Sequence, residues 1–224
     1  MGTENTFRKS RTLGILFLLP LITYGLGNGL VMSSVESPGH LWDVYDNRFQ
    51  VMAGGILMFV NSVTVMFVGI IIYPLLARFN KTVALAYLGC RMLEAVVLAV
   101  GIVSLLSLIG VGEKYNNTVT PDVTHFETLF TLCTGIHFYA YQLAMLALGV
   151  GSVAFCRLLY KNRWVPPFLS VLGITGYILL MVGALLELFG YGVGVMLSLP
   201  GGLFELIFGV WLIFVEPFKA SKDI

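Results

Sequence analysis

Six stretches of this chain are each long and apolar enough to cross a bilayer, and few folds other than a helical membrane protein can accommodate them. A hydrocarbon core of about 30 Å needs roughly 20 residues of helix. The stretches cover residues 12–32, 48–77, 82–110, 126–159, 168–190 and 193–218. They are continuously apolar, with none of the two-residue alternation that barrel strands require. A helix also satisfies its backbone polar groups within its own segment. The expected fold class is therefore all-α. It is a polytopic membrane protein, a bundle of six transmembrane helices forming one membrane domain over residues 1–224. Composition agrees: 58% of the 224 residues are hydrophobic and 11% are charged, against about 25% charged in a soluble domain. A disordered chain is excluded. The +1 formal net charge gives no reason to expect nucleic acid as a partner.

Arg8, Lys9 and Arg11 precede the first stretch, as they would in a secretory leader. The run after them exceeds the roughly 7–15 apolar residues of a leader, so a retained first helix is expected. Basic residues then orient the chain. Arg8, Lys9, Arg11, Arg78, Lys81, Arg157, Lys161, Arg163, Lys219 and Lys222 all fall on one side of six spans. The other side carries Arg48 and Lys114 among the acidic Glu36, Asp43, Asp46, Glu113, Asp122 and Glu127. Both termini are expected in the cytoplasm. The expected location is multi-pass in a bacterial inner membrane or a plasma membrane, with membrane lipids as partners. Residues 33–47 and 111–125 read as outer loops.

Ionisable residues inside a span are costly and are functional candidates by default. Arg91 and Glu94 stand three apart on the third helix, a spacing that allows an ion pair. At 1.5 Å per residue they lie roughly 14–18 Å from its inner end. His137, Glu205 and Asn61 lie about 17, 18 and 20 Å from the outer ends of the fourth, sixth and second helices. Tyr141 follows His137 by one turn. Four helices thus bring polar groups to nearly one level, with Glu205 expected as a proton-exchanging carboxylate and His137 as its partner. With His137 neutral, Arg91, Glu94 and Glu205 sum to minus one, and one protonation would neutralise a buried cluster.

The leading reading is transport or small-ligand binding at this midplane cluster, with a small molecule or a proton as the bound species. The alternatives are a structural or interaction protein in which the cluster only locks helices together, and an intramembrane lipid-modifying enzyme. No catalytic residues are assigned. No cofactor is expected: a haem held by paired histidines needs two at matched depth, and only His137 is deep. No metal site is expected, because Asp122, His125 and Glu127 have no established ligand spacing. Cys90, Cys133 and Cys156 read as apolar packing residues without a disulfide framework. Ser104 and Ser107 read as bonded to their own helix backbone. Gly25 and Gly29 form a small-xxx-small pattern that suggests close helix packing, and Pro200-Gly201-Gly202 suggests an interruption or kink in the last helix.

Several stretches, in this order, resemble a bacterial membrane family known only as domain of unknown function 4386. They are Gly14-Ile15-Leu16-Phe17-Leu18, Arg91-Met92-Leu93-Glu94-Ala95, Ile136-His137-Phe138-Tyr139, Trp164-Val165-Pro166, and the run from Glu205 to Leu212. The resemblance implies a multi-helix membrane protein with polar positions at Arg91, Glu94, His137 and Glu205. It implies no activity, substrate or cofactor. The acidic, aromatic first outer loop departs from the family pattern.

Overall fold

The computed structural model describes the backbone of residues 3–215 and the side chains of residues 10–215. All regular structure among them is helical. The helices are α1 (Thr3–Val35), α2 (His40–Asp46), α3 (Arg48–Ala77), α4 (Lys81–Asn117), α5 (Val123–Lys161), α6 (Pro167–Leu188) and α7 (Gly194–Phe214). All but α2 are long and apolar enough to cross a membrane, so the chain is a multi-pass integral membrane protein. Glu216, Lys219 and Lys222 lie outside the described residues, as do the side chains of Arg8 and Lys9.

The spans outrun the apolar stretches where polar residues prolong a helix beyond the lipid. Helix α4 continues through Glu113 and Lys114 to Asn117, and α5 begins at Val123. Two caps mark these beginnings. The Asn80 side chain accepts from the Val83 amide at 3.0 Å, and the Asp122 carboxylate accepts from the His125 amide at 3.3 Å. Both satisfy an otherwise orphan amide of a first helical turn.

The 33–47 segment is not a plain loop, because α2 lies within it. Its Leu41 and Val44 stand three apart and are buried against the bundle, and that burial supports a helix too short to be stable alone. A Cβ on Gly112 of α4 would lie 3.1 Å from the Leu41 carbonyl oxygen, so the bare glycine seats α2. His40 Nε2 lies 3.1 Å from the Glu127 carboxylate of α5 and ties the other side of α2 down.

Each span packs on the next in chain order, and α7 closes on α1, so the six spans form a ring. No opposite pair packs closely along its length. Neighbouring axes lie about 8–10 Å apart in packed helices. A six-membered ring at that spacing encloses a space about as wide as one further helix. That space must be filled by side chains or remain hollow.

The α1–α7 seam is tightest at Gly14, where a Cβ would lie 2.5 Å from the Gly209 carbonyl oxygen. The start of α1 thus meets the finish of α7, and both described chain ends share one end of the ring, called here the terminal end. Arg11, Arg78, Lys81, Arg157, Lys161 and Arg163 gather at this end, and the acidic loop residues lie at the opposite, loop end. On its other flank α1 meets α3 through Gly27, whose Cβ would lie 2.7 Å from the Gly54 carbonyl oxygen.

One expectation about small residues changes. A Cβ on Gly25 or Gly29 would meet nothing within 4 Å, so neither makes a close crossing; Gly27 does. Adjacent positions turn by about 100° on a 3.6-residue helix, so Gly25 and Gly29 face away from the partner that Gly27 touches. Helix α7 also runs on through Pro200 without a break. The glycine after it serves the α6–α7 contact, where a Cβ on Gly176 would lie 2.7 Å from the Gly201 nitrogen.

Candidate functional site

The terminal half of the ring is filled, and a cluster of aromatic rings lies among its aliphatic side chains. Phe17 of α1 meets Phe208 of α7 edge-on at 5.1 Å, and Phe155 of α5 meets Phe208 at 5.8 Å. Tyr87 of α4 lies 4.9 Å from Phe155, and Phe204 stacks on Phe208 at 5.3 Å. Tyr87, Phe155, Phe204 and Phe208 are all almost wholly buried. Such rings bury large areas and favour these edge and offset contacts. Five helices contribute, since Tyr177 of α6 joins through Phe204 at 5.6 Å. This plug was not anticipated. Phenylalanine within an apolar span resembles any other lipid-soluble residue until its facing is known.

Directly above the plug sits the charged group. Arg91 Nη1 donates to Glu94 Oε2 at 2.8 Å, and both side chains are only 3% exposed. The pair lies within α4, on the face turned into the ring. Gly69 of α3 admits the arginine stem, since a Cβ there would lie 3.0 Å from Arg91 Cβ. The guanidinium carbon stands 5.9 Å from the Tyr87 ring centre. Arg91 Nε is buried without a hydrogen-bond partner among the described residues.

Glu205 of α7 is half-buried and accepts a hydrogen bond from Tyr177 Oη at 2.8 Å. Measured from the terminal ends of their helices, Arg91, Tyr177 and Glu205 lie about 15, 15 and 14 Å deep at 1.5 Å per residue. Arg91, Glu94, Glu205, Tyr177, Asn61 and Tyr141 line one cavity of about 240 Å³. Asn61 is 4% exposed and makes no hydrogen bond among the described residues. Five of the six residues expected from the sequence to share a location therefore line one space.

His137 does not line it, and the hydrogen-bond partner of Glu205 is Tyr177 instead. His137 lines a wider cavity of about 660 Å³ toward the loop end. Its Nδ1 lies against α4, 3.1 Å from where a Cβ on Gly101 would sit, and has no hydrogen-bond partner among the described residues. His137 faces the interior but lies level with Gly101, about 15 Å along α4 from Arg91, because α4 and α5 run on past their apolar stretches and a count from the apolar boundary misjudges depth. Tyr177 was missed for a different reason: its one signal is a tyrosine at mid-span, away from the interfacial belts where tyrosines gather.

The two cavities adjoin, sharing Tyr24, Tyr141, Met145, Leu180 and Ser198 on their walls. Tyr24 of α1 and Tyr141 of α5 reach across the ring and stack, with centroids 5.6 Å apart and planes at 25°. The wider cavity reaches Glu36 and Glu187 at the loop end. From loop end to terminal end the interior thus passes from an acidic mouth to a wide chamber, a tyrosine pair, a charged pocket and an aromatic plug.

The serines are split. Ser107 donates to Val103 of its own helix at 2.8 Å, as expected, whereas Ser104 donates to the Cys133 carbonyl of α5 at 2.7 Å. The facing of α4 brings the α5 backbone closer to Ser104 than the sequence indicates. Among the described residues no three His, Cys, Asp or Glu side chains come together to hold a metal ion. The charged pocket is suited to holding water, a proton or a small polar group. With Arg91, Glu94 and Glu205 all ionised, its formal charge is minus one.

A family model described as domain of unknown function (DUF4386) matches residues 12–215 of this chain. No curated protein and no solved structure matches it.

Proposed function

The chain belongs to the DUF4386 family, and from that premise we propose that it binds a small solute within the membrane and carries it across, with proton exchange at the Arg91–Glu94–Glu205 pocket. One observation carries the reading. Charged side chains from two helices line a cavity that adjoins a wider one reaching the loop end. A cluster serving only to fill the ring would be packed shut, because a buried void costs its lining the contacts it lacks. The aromatic plug below completes the pattern of a pathway open at one end and closed at the other.

Each group has a role. Arg91 is paired with Glu94 by direct donation, which leaves Glu205 as the carboxylate free to gain or lose a proton. Tyr177 orients Glu205, and Asn61 offers an unused amide. By the positive-inside rule the basic terminal end faces the cytoplasm and the acidic mouth faces outward, in a cell membrane whose lipids surround the ring. Large exposed apolar side chains such as Ile56, Val96, Val103 and Val150 form the lipid-facing surface.

The helix-locking alternative draws on Tyr177–Glu205, which does join α6 to α7. It leaves the ion pair unexplained, because Arg91 and Glu94 belong to one helix and tie no two together. The lipid-modifying alternative lacks an activated nucleophile: Ser198, on the cavity wall, donates to the Val195 carbonyl of its own helix at 2.8 Å.

The proton role is tested by infrared difference spectroscopy of the purified protein across a pH step. A carbonyl band from a protonated carboxyl is expected in the wild type and is expected to disappear in Glu205→Gln. It should persist in Glu187→Gln, where the altered carboxylate is at the mouth. A band unchanged in Glu205→Gln assigns the proton elsewhere and removes this role.

A further inference from the structure

The wider cavity has a chemistry of its own, distinct from that of the charged pocket. We propose that it is a binding site for a lipophilic organic cation, an apolar body of aromatic or alkyl character bearing one positive charge. The inference rests on the reading above only in taking the ring interior as a ligand chamber.

Its volume of about 660 Å³ falls within the range of roughly 300–1,000 Å³ typical of small-molecule sites. That is far more than a hydrated ion needs, and its wall is not that of an ion site. Leu105, Met32, Met145, Leu180 and Ala184 provide an apolar lining of the kind that accepts a hydrocarbon body. The methionines add a soft surface that repacks around varied shapes.

The sign of the charge follows from what lines the wall. Glu36 and Glu187 are on it, and no lysine or arginine is. Glu187 is held in place, its Oε1 accepting the Gly194 amide at 2.7 Å. Aromatic faces continue the selection below the mouth, with the stacked Tyr24 and Tyr141 as floor and Phe130 and Phe138 on the sides. Such faces attract a cation within about 6 Å, and more strongly where water is excluded. The adjoining pocket adds a formal charge of minus one beneath the tyrosines. An anion would meet carboxylates at both ends.

A second, independent feature points to a ligand. Gln142 is 7% exposed and lines the cavity, yet its amide makes no hydrogen bond among the described residues. Its amide atoms are not shut off from the cavity space, so a ligand can reach them. The free amide gives an entering molecule one polar contact and leaves its apolar body to the rest of the wall.

The probe is tetraphenylphosphonium, with tetraphenylborate as a near-isosteric anion, each titrated into the full-length protein in detergent by calorimetry after subtraction of protein-free micelles. Saturable binding of the cation is expected, with none for the anion. The double substitution Glu36→Gln with Glu187→Gln, and separately Tyr141→Ala, should each weaken cation binding at least tenfold. Tyr141→Phe keeps the ring and should bind as the wild type does, which separates loss of the aromatic face from misfolding. Equal binding of the two ions, or an undiminished affinity in the carboxylate double variant, overturns the proposal. If neither ion binds while the Glu205 infrared band persists, the cation site is wrong and the proton-exchange reading stands. Loss of both observations removes both.

Discussion

Replacing Arg91 with leucine is expected to destabilise the protein by about 3–5 kcal/mol, because a carboxylate is left buried without its partner. Glu94 is 3% exposed, and its hydrogen bond comes from the arginine it would lose. Glu94→Leu alone should cost a similar amount, by stranding the guanidinium, whose Nε already lacks a partner. The double variant Arg91→Leu with Glu94→Leu should recover much of the loss. Replacing both partners of a buried pair by apolar groups is often near neutral, and Gly69 leaves room beside position 91. Denaturant unfolding of the four proteins in one detergent gives the cycle directly. A double variant no more stable than the sum of the two singles would mean the pair contributes no coupling, and the description of the pocket would need revision.

Phe208→Ala should have an effect of comparable size for a different reason. Phe208 is fully buried and its ring contacts Phe17, Phe155, Phe204 and Trp211. Truncating a buried phenylalanine costs about 3–5 kcal/mol, combining lost transfer free energy with the cavity left behind. Here the cavity would also thin the packing that separates the charged pocket from the terminal end. The variant is therefore expected to raise the leak of protons through reconstituted vesicles, while Phe59→Ala, on the lipid-facing surface at 53% exposure, should change neither stability nor leak by a measurable amount. A Phe208→Ala protein that is destabilised but no leakier would show that the plug holds the fold without sealing a path.

Much of this architecture is legible in the residues themselves. Hydropathy and length determine the six spans because lipid leaves a backbone few alternatives, and Arg91 with Glu94 stands out because charges within a span are rare. Helical rise alone places Glu205, Asn61 and Tyr141 near them. What it does not supply is how far each helix runs past the lipid. His137 faces the ring interior but at another level, beside Gly101, about 15 Å along α4 from Arg91. Tyr177 and Tyr24 are invisible until the ring closes, since a tyrosine hydroxyl carries no charge to mark it. The helix α2 is hidden by shortness: a single pair of apolar residues, Leu41 and Val44, is too little periodicity to distinguish it from a loop. The aromatic plug is hidden by abundance, as 16 phenylalanines offer many candidates, with nothing local to say which face inward.

The central claim is that the ring holds a wet chamber entered from the loop end. It is tested most directly by thiol accessibility in a protein with Cys90, Cys133 and Cys156 replaced, reconstituted in sealed vesicles. Ser198→Cys, on the wall common to both cavities, is expected to react with a membrane-impermeant methanethiosulfonate applied to the loop-end side and not to the terminal side. Val150→Cys, lipid-facing at 59% exposure, should stay unmodified from both. A Ser198→Cys protein as inert as Val150→Cys would contradict the account.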